Sequence, residues 1–460
     1  MKSLSILCLL VYLGVIVLDI HLPLSVLIPF TGVLYLILNI CYLYKYRRNQ
    51  LICFEFLFAI SFFLCSFLTP YVYPLLDNYQ GRTFISTDYN LYKVYCISFI
   101  GYCAYMYGLC CIKENASSAN KCGVISYRCI FNDKCGSYSN LLCLFFIVLF
   151  YLYGGSRLIT LYSELASDLN QRFESWGEYL TYAMYSYTLS VVINFTIAGH
   201  SSYSGSLVKK LPFLFYFNTV LLVIPLLLSG LRSSALQLLV PLIMMYGIMI
   251  KRVNASKVLA LICIGYVFMI FIGLTRSGNI TGELGRGTTF LTFVYDFVSA
   301  NGANSFLIDY TDKYGTTGGS NMLLQIASII PFLQSFILLF VKKDSLASYS
   351  SVLYTDTFMD STQGGLGTAL IGDIYYSLGL VGVIILMFLI GYFINRLSRA
   401  HNSPYALALM MVISGNALFA PRVEYCYILR SLSYTVILLY IILLFSHNNS
   451  SSNEYSMRYR

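Results

Sequence analysis

The stretch GGLGTALIGDIYYSLGLVGVIILMFLIGYFINRL (Gly364–Leu397) changes character along its length. Its first part is rich in glycine and contains one carboxylate, Asp373. Its second part holds an apolar run, Leu378–Ile394, of a length that crosses a bilayer as a helix. The chain from Leu274 to about Gly372, which includes the start of this stretch, is polar. We interpret the stretch as the place where a large external region returns into the membrane. A single large external region of this kind is more typical of an enzyme at the membrane surface than of a pore or carrier.

The rest of the chain is dominated by apolar runs. Of its 460 residues, 58% are hydrophobic and only 11% are charged, and the mean hydropathy is +0.71. Soluble domains are nearer one quarter charged. Runs of about 20 apolar residues recur, the length of a transmembrane helix, and the alternation typical of a transmembrane strand is absent from the sequence. We predict an all-α polytopic membrane protein.

The net charge of +9 does not indicate nucleic-acid binding, because the basic residues lie in short clusters between apolar runs. Such clusters mark cytoplasmic loops. We predict about twelve transmembrane helices with both termini cytoplasmic, since this arrangement places the clusters inside. The predicted spans are Ser3–Ile20, Leu22–Tyr44, Leu51–Thr69, Leu91–Ile112, Leu141–Gly155, Tyr179–Ala198, Leu211–Leu228, Ser233–Ile250, Lys257–Leu274, Leu378–Ile394, Pro404–Ala420 and Ser431–Phe445.

This topology predicts one integral membrane domain, residues 1–446, with a large external region at about 275–372, followed by a disordered cytoplasmic tail, 447–460. One segment of the external region, Met322–Val341, is apolar enough to cross the membrane. Pro331 interrupts its middle, and a crossing here would require another span before Leu378. We predict a re-entrant or interface-lying element, and a true crossing balanced by unrecognised short spans is the alternative.

Four external arginines are candidate ligands for a diphosphate or an anionic sugar. Arg232 lies in the tight turn GLRSS between two apolar runs, and a guanidinium there can hold two phosphate oxygens at once. Arg276 and Arg286 flank Glu283 in the glycine-rich segment TRSGNITGELGRG, and Arg422 lies in the last external turn. The alternative for each is an ordinary contact, either with a lipid headgroup or in a solvated ion pair.

Three external carboxylates are candidates for chemistry. Asp373 lies where the chain re-enters lipid, and there burial should raise the pKa of its carboxyl, which suits a general base. The alternative is a helix-start carboxylate facing the positive end of the helix dipole. Two flanking arginines should depress the pKa of the Glu283 carboxyl, which suits this residue to orienting a sugar hydroxyl. Glu424 is the third candidate. The external side shows no HExxH, DxD-like pair or P-loop, so we expect neither a metal nor another cofactor.

The order of these motifs resembles the Wzy-type O-antigen polymerases, the oligosaccharide repeat-unit polymerases of Gram-negative bacteria. The resemblance covers the whole predicted topology, and its residue matches concentrate in Gly230–Ser234 and Gly364–Arg396. The re-entry motif of that family often carries an acidic residue and an aromatic residue before its second pair of glycines. Here those positions are matched by Asp373, Tyr376, Gly379 and Gly382.

The resemblance implies a glycosyltransferase at the periplasmic face of the bacterial inner membrane. The growing glycan would leave undecaprenyl diphosphate and join the non-reducing end of an incoming lipid-linked repeat unit. External arginines are central to the family, which points to Arg232, Arg276, Arg286 and Arg422. The resemblance also implies membrane lipid and the chain-length regulator and flippase of the same pathway as partners, and no nucleic acid.

Three other classes are less well supported by the residues. A lipid-linked oligosaccharide flippase would favour two similar halves and charged residues inside spans, and the sequence shows neither. An O-antigen ligase would favour an external histidine, and none is well placed. A membrane O-acyltransferase would favour a histidine within an apolar span, whereas His200 lies at a predicted cytoplasmic edge.

Overall fold

The computed structural model describes the chain outside residues 21, 47–52, 73–87, 112–130, 156–175, 201–209, 229–231, 250–287, 331–332, 341–346, 359–366, 400–402 and 458–460. Every regular element in the described ranges is helical. The predicted all-α class is therefore confirmed for these ranges.

Sixteen α-helices are named in chain order across the described ranges. They are α1 Lys2–Val17, α2 Leu24–Tyr46, α3 Phe54–Ser66, α4 Thr69–Val72, α5 Asp88–Cys110, α6 Asp133–Phe150, α7 Trp176–His200, α8 Phe213–Leu228, α9 Arg232–Met249, α10 Thr288–Tyr314, α11 Leu323–Ala327, α12 Leu333–Ile337, α13 Ser350–Phe358, α14 Leu370–Arg399, α15 Pro404–Gly415 and α16 Tyr427–Met457. A π-helical turn, Tyr151–Gly155, follows α6, and 3-10 turns cover Ser320–Met322 and Ala420–Arg422.

Four of the described helices are long and apolar enough to cross a membrane, namely α2, α6 with its π-helical turn, α14 and α16. Shorter apolar helices are α1, α3, α8, α9 and α15. The predicted spans Leu91–Ile112 and Tyr179–Ala198 fall largely on α5 and α7, and Lys257–Leu274 lies outside the described residues. The chain is a helical membrane protein, and the count of twelve spans remains a prediction.

α5 is not among these four helices, and protein encloses most of its side chains. Tyr95, Tyr102 and Tyr105 are all fully buried, and most of the other side chains on this helix are buried too. Two of these tyrosines bond across helices: Tyr95 donates to the carbonyl of Phe67, and Tyr102 donates to Oδ1 of Asn39 at 2.6 Å. A helix in this position does not need the continuous apolar surface that lipid demands.

Packing divides the chain into two units. The first contains Met1–Lys113, Asn279–Arg399 and Ala417–Arg430, and the second contains Glu114–Gly278, Ala400–Asn416 and Ser431–Arg460. The prediction of a single integral membrane domain concerns the fold as a whole and remains a prediction. So does the predicted disordered tail, although the backbone of α16 continues as helix to Met457.

In the first unit, α5 and α14 touch backbone to backbone. A Cβ atom added to Gly108 would lie 2.2 Å from the carbonyl oxygen of Phe388, and one added to Gly391 would lie 2.1 Å from the carbonyl oxygen of Tyr105. Glycine is required at both positions because any side chain would force the helices apart. Close approach through small residues is a common way to join helices in lipid, where the hydrophobic effect gives no drive for helix association.

α1 runs antiparallel to α5. Nζ of Lys2 donates to the carbonyl of Cys111 at 2.8 Å at one end of the pair, and the Tyr92 hydroxyl donates to the carbonyl of Ile20 at the other. The first of these bonds satisfies a carbonyl at the C-terminal end of α5, which has no partner inside the helix. The start of α1 and the end of α5 therefore lie on the same side of the unit, as the predicted topology requires.

α14 is broken at Gly379, where φ is +68° and ψ is −165°. This backbone region is open essentially to glycine alone. Two carbonyls on the N-terminal side of the break accept hydrogen bonds from a loop. The N–H of Thr317 donates to the carbonyl of Tyr376 at 3.0 Å, and the N–H of Gly319 donates to the carbonyl of Ser377 at 3.1 Å. The part after the break, residues 380–399, extends for about 30 Å, which matches the hydrocarbon thickness. The part before it, containing Asp373, is a separate short helical segment.

The predicted external region contains two structural features, and the sequence pattern distinguished only the second of them. The first is α10, a 27-residue helix that packs on α3, α5 and α14. The second is the apolar segment predicted as re-entrant or interface-lying. Its described part forms α11 and α12, two helices of five residues each, on either side of Pro331. Each is only about 7.5 Å long, so neither crosses the bilayer.

The second unit is joined by buried amides. Nδ2 of Asn140 on α6 donates to Oδ1 of Asn194 on α7 at 3.3 Å, and Nδ2 of Asn218 on α8 donates to the carbonyl of Asn140 at 2.9 Å. Ser190 adds a bond from its hydroxyl to Oδ1 of Asn140. Neutral polar side chains of this kind hold transmembrane helices together.

Candidate active site

Asp373 lies in the first turn of α14 and has no exposed surface. Its Oδ2 accepts the backbone N–H of Tyr425 at 2.9 Å. Its Oδ1 accepts no hydrogen bond of good geometry from the described residues, although the Ser350 hydroxyl lies near the same carboxyl. The carboxyl therefore joins the broken helix α14 to the turn before α16 through one hydrogen bond, and one of its oxygens is available for another donor.

The turn opposite Asp373 carries a second carboxylate. Glu424 is half-buried, and its Oε1 accepts a hydrogen bond from the hydroxyl of Ser351 on α13. Its charge is close enough to interact with Asp373. Burial raises the pKa of Tyr425 to about 12, and the charge of Asp373 contributes to that rise. Two carboxylates in different surroundings are thus neighbours, one enclosed on α14 and one partly exposed on the segment opposite it.

Arg422 lies two residues before Glu424, at the end of a 3-10 turn that packs on α3 and α14. It is half-buried and lies close enough to the thiol of Cys65 to interact with it electrostatically. Its backbone carbonyl oxygen lies 3.9 Å from the place that a Cβ on Gly367 would occupy, and Gly367 itself has φ of +76°. The glycine-rich approach to the membrane and the turn containing Arg422 are therefore neighbours.

Two contacts fix the peptide that precedes Asp373. The N–H of Gly372 donates to Oδ1 of Asn304 on α10 at 2.7 Å, and a Cβ on Gly372 would lie 3.0 Å from the Cα of Asn304. One helical turn after Asp373, Tyr376 packs in a buried cluster with Ala369, Phe306 and Tyr354. The position of Asp373 is thus determined by α10, α13 and the 3-10 turn, and not only by its own helix.

The structure brings together three of the seven predicted site residues, Asp373, Glu424 and Arg422. Arg232 is the first residue of α9 and belongs to the second unit, and its side chain is not among those described. Arg276, Glu283 and Arg286 lie outside the described residues. The roles predicted for all seven remain predictions.

A cluster that the sequence analysis missed lies on the same end of the first unit. Nζ of Lys93 on α5 pairs with Oδ2 of Asp312 on α10 and lies 5.9 Å from the centre of the Tyr375 ring on α14. The Tyr375 hydroxyl donates to Oδ1 of Asp312 at 2.9 Å. Only one signal was available in the sequence, a single lysine at the external end of the predicted span Leu91–Ile112. Its partners are 219 and 282 residues away along the chain.

Among the described residues, no three histidine, cysteine, aspartate or glutamate side chains are grouped as metal ligands would be. Positive charge at the described part of this site comes instead from Arg422 and Lys93. The expectation that no metal or other cofactor is needed remains an expectation.

The class defined by these observations is a multi-pass helical membrane protein with enclosed and half-exposed carboxylates at one end of a broken transmembrane helix. The chain belongs to the O-antigen polysaccharide polymerase Wzy family, whose model matches residues 1–450. No curated protein and no solved structure matches the chain. The family resemblance stated from the motifs is confirmed, and with it a general role in the polymerisation of O-antigen repeat units from a lipid-linked oligosaccharide.

Proposed function

We propose that this protein transfers the growing O-antigen chain from undecaprenyl diphosphate to the non-reducing end of an incoming undecaprenyl-diphosphate-linked repeat unit. The reaction takes place at the periplasmic face of the bacterial inner membrane. The observation that carries the proposal is the joining of Asp373 to the turn that contains Glu424 and Arg422, through the bond from the Tyr425 N–H. Family membership supports the general reaction, and this contact supports its location.

The transfer needs a base, stabilisation of the leaving group and alignment of two substrates. A hydroxyl oxygen of the acceptor sugar attacks the anomeric carbon of the donor, and the bond from that carbon to the diphosphate oxygen breaks. The bonding electrons leave with undecaprenyl diphosphate, and the hydroxyl proton passes to a carboxylate. Guanidinium groups stabilise the charge that develops on the diphosphate. Holding both lipid-tethered substrates in place makes the reaction effectively unimolecular.

Asp373 is the proposed acceptor base, because an enclosed carboxylate takes up a proton more readily than one in water. Access to it requires a movement of the surrounding protein, since the side chain has no exposed surface. Glu424 is the alternative base, because it is already half-exposed and lies in the same turn. Glu283 is proposed to orient a sugar hydroxyl.

Arg422 is the proposed diphosphate or glycan ligand in the described part of the site, and it lies in the same turn as Glu424. Arg232, Arg276 and Arg286 are proposed to share this task, on the strength of the motifs that contain them. Arginine suits it because its planar fork binds two oxygens of one phosphate and remains charged when partly dehydrated. The chain-length regulator and the flippase of the same pathway are the proposed protein partners.

The test measures polymerisation of purified lipid-linked repeat units by Asp373→Asn. Asparagine keeps the shape of the side chain and an oxygen for the Tyr425 N–H but cannot accept a proton. We expect the rate to fall by roughly 10²- to 10⁴-fold, the usual cost of losing a general base. Asp356→Asn, an exposed aspartate on α13, is the matched control and should leave the rate unchanged.

A near-normal rate for Asp373→Asn combined with a large loss for Glu424→Gln would transfer the base role to Glu424. A near-normal rate for both would contradict the proposed site. In cells, loss of polymerisation leaves lipopolysaccharide core bearing one repeat unit, whereas loss of a ligase leaves bare core. The same variants therefore distinguish the proposed reaction from the ligase alternative.

A further inference from the structure

The C-terminal half of α10 carries three aromatic residues at four-residue spacing, Phe306, Tyr310 and Tyr314. Residues four apart share one face of a helix. The rings follow one another along that face, with centroids 5.8 Å apart for the first two and 4.6 Å apart for the last two. Phe306 is buried, Tyr310 is partly buried, and Tyr314 is 73% exposed. We call this face the tyrosine stripe.

The tyrosine stripe leads from the surface to the proposed site. The Tyr310 ring meets the Tyr376 ring edge-on, with centroids 6.0 Å apart. Tyr376 lies one helical turn after Asp373 and is close enough to interact with its charge. Ring contacts therefore connect the exposed Tyr314 with Tyr376, which lies one helical turn from the carboxyl proposed as the base.

An ion pair runs along one edge of the tyrosine stripe. Nζ of Lys313 donates to Oδ2 of Asp309 at 2.8 Å, and each of these residues directly precedes a stripe tyrosine in the chain. The lysine and aspartate side chains are 63% and 36% exposed. A pair so open to solvent contributes little to stability. Its carboxylate and ammonium can still accept and donate hydrogen bonds to a ligand lying on the rings.

The surroundings of the stripe are polar, which distinguishes it from a lipid-facing aromatic surface. Tyr314 is followed by Gly315, Thr316 and Thr317, of which the first two are exposed. Elsewhere in the described chain, strongly exposed apolar side chains such as Leu339 and Val381 have apolar neighbours in sequence. An exposed tyrosine flanked by a charged residue and a glycine is suited to a ligand with one apolar face and a polar rim.

We propose that the tyrosine stripe is a glycan-binding subsite that holds a pyranose ring of the polysaccharide on Tyr314. A pyranose presents a face of C–H groups, which packs on an aromatic ring, and an edge of hydroxyl groups, which suits Asp309 and Lys313. The inference rests on the proposed function, because it gives that site a place for the sugar chain. It names residues that no motif of the sequence had indicated.

The experiment measures binding rather than polymerisation. The probe is O-polysaccharide of the native strain, released from its lipid by mild acid so that it carries no diphosphate, and binding to the purified full-length protein is measured by titration calorimetry. We expect Tyr314→Ala to weaken binding by roughly two- to tenfold, the range for loss of one aromatic contact. Tyr314→Phe should bind as the wild type does, because it keeps the ring.

Tyr44→Ala is the matched control, since Tyr44 is 69% exposed and lies on α2. Unchanged binding by Tyr314→Ala would overturn the proposal, and so would an equal loss in Tyr44→Ala or in Tyr314→Phe. Absence of binding by the wild type would also overturn it. The proposed base is tested by the polymerisation rate and the subsite by binding of a probe that cannot react, so a failure of the subsite and a failure of the proposed base give different results.

Discussion

The two segments of α14 on either side of the break at Gly379 are suited to different surroundings. Before the break, every residue from Leu370 to Ser377 is buried, and the segment contains a carboxylate. After it, large apolar side chains are exposed at every fourth position, which is the spacing of one helix face. These are Val381 at 66%, Ile385 at 51%, Leu389 at 47% and Phe393 at 41%.

The comparison shows how a membrane helix can hold a reactive group. A carboxylate facing lipid would be strongly unfavourable. Enclosure by α10, α13 and the 3-10 turn removes Asp373 from lipid, and the bond from the Tyr425 N–H satisfies one of its oxygens. The exposed apolar side chains after the break are suited to face lipid. The backbone conformation at Gly379 allows the two segments of α14 to have different orientations.

The largest expected effect comes from a matched pair of truncations on the two parts. Ile374 has no exposed surface and Ile385 is 51% exposed. Ile374→Ala should lower the free energy of unfolding by about 2–5 kcal/mol, because it leaves a cavity in packed protein. Ile385→Ala should cost less than about 1 kcal/mol, because lipid or detergent fills the space. Unfolding of the purified variants in mixed micelles by increasing SDS measures both.

Equal losses in the two variants would mean that protein and not lipid covers the exposed apolar side chains after the break. The comparison between the two parts of α14 would then fail.

The next effect concerns the break itself. Gly379→Ala places a side chain in a backbone region that is unfavourable for it by about 1–3 kcal/mol, so it should destabilise the protein by that amount or straighten the helix. Straightening would displace Asp373 and reduce polymerisation. Thermal unfolding and the polymerisation rate are the measurements.

Gly14→Ala is the control for this variant. Gly14 lies within α1, and a Cβ there would meet no atom within 4 Å. Alanine is the better helix former, so this variant should be neutral or slightly stabilising. If Gly379→Ala behaved like Gly14→Ala in both assays, the break would have no role in holding the site.

The smallest expected effect is on stability and concerns Ser377, two residues before the break in α14. The Ser377 hydroxyl donates to Oδ1 of Asn321 at 3.0 Å, and the Thr317 hydroxyl donates to the same oxygen at 2.7 Å. Ser377→Ala therefore removes one donor without leaving that acceptor empty, and should cost about 0.5–1.5 kcal/mol. SDS unfolding detects this loss, and a cost above about 3 kcal/mol would show that Ser377 does more than close the break.

Much of this arrangement was accessible from the sequence because it depends on local chain properties. The predicted span Leu378–Ile394 begins within one residue of the observed break, since the change from glycine-rich to apolar sequence reflects the change of surroundings. Burial of the Asp373 side chain could be predicted for the same reason, whereas its role remains a prediction. A carboxylate directly before an apolar run has to be enclosed or paired.

The rest could not be predicted, because it depends on contacts between distant parts of the chain. Lys93 and Asp312 are 219 residues apart, and neither belongs to a recognisable motif. The sequence predicts α10 as part of an external region, because its residues are too polar for a span. Its aromatic spacing indicates a binding face only together with the residues that pack around it. Which of the several glycines from Gly364 to Gly382 forms the break was likewise not fixed by the pattern.

The glycine contact between α5 and α14 has a consequence for how the site can open. Gly108 and Gly391 bring the two backbones together toward one end of the pair, and Lys93 lies beside the Tyr375 ring toward the other. Because the pair is held at both ends, we expect α5 and α14 to move together. Opening of the site is then expected at the segment opposite Asp373, whose backbone is bound to that carboxyl by the hydrogen bond from the Tyr425 N–H.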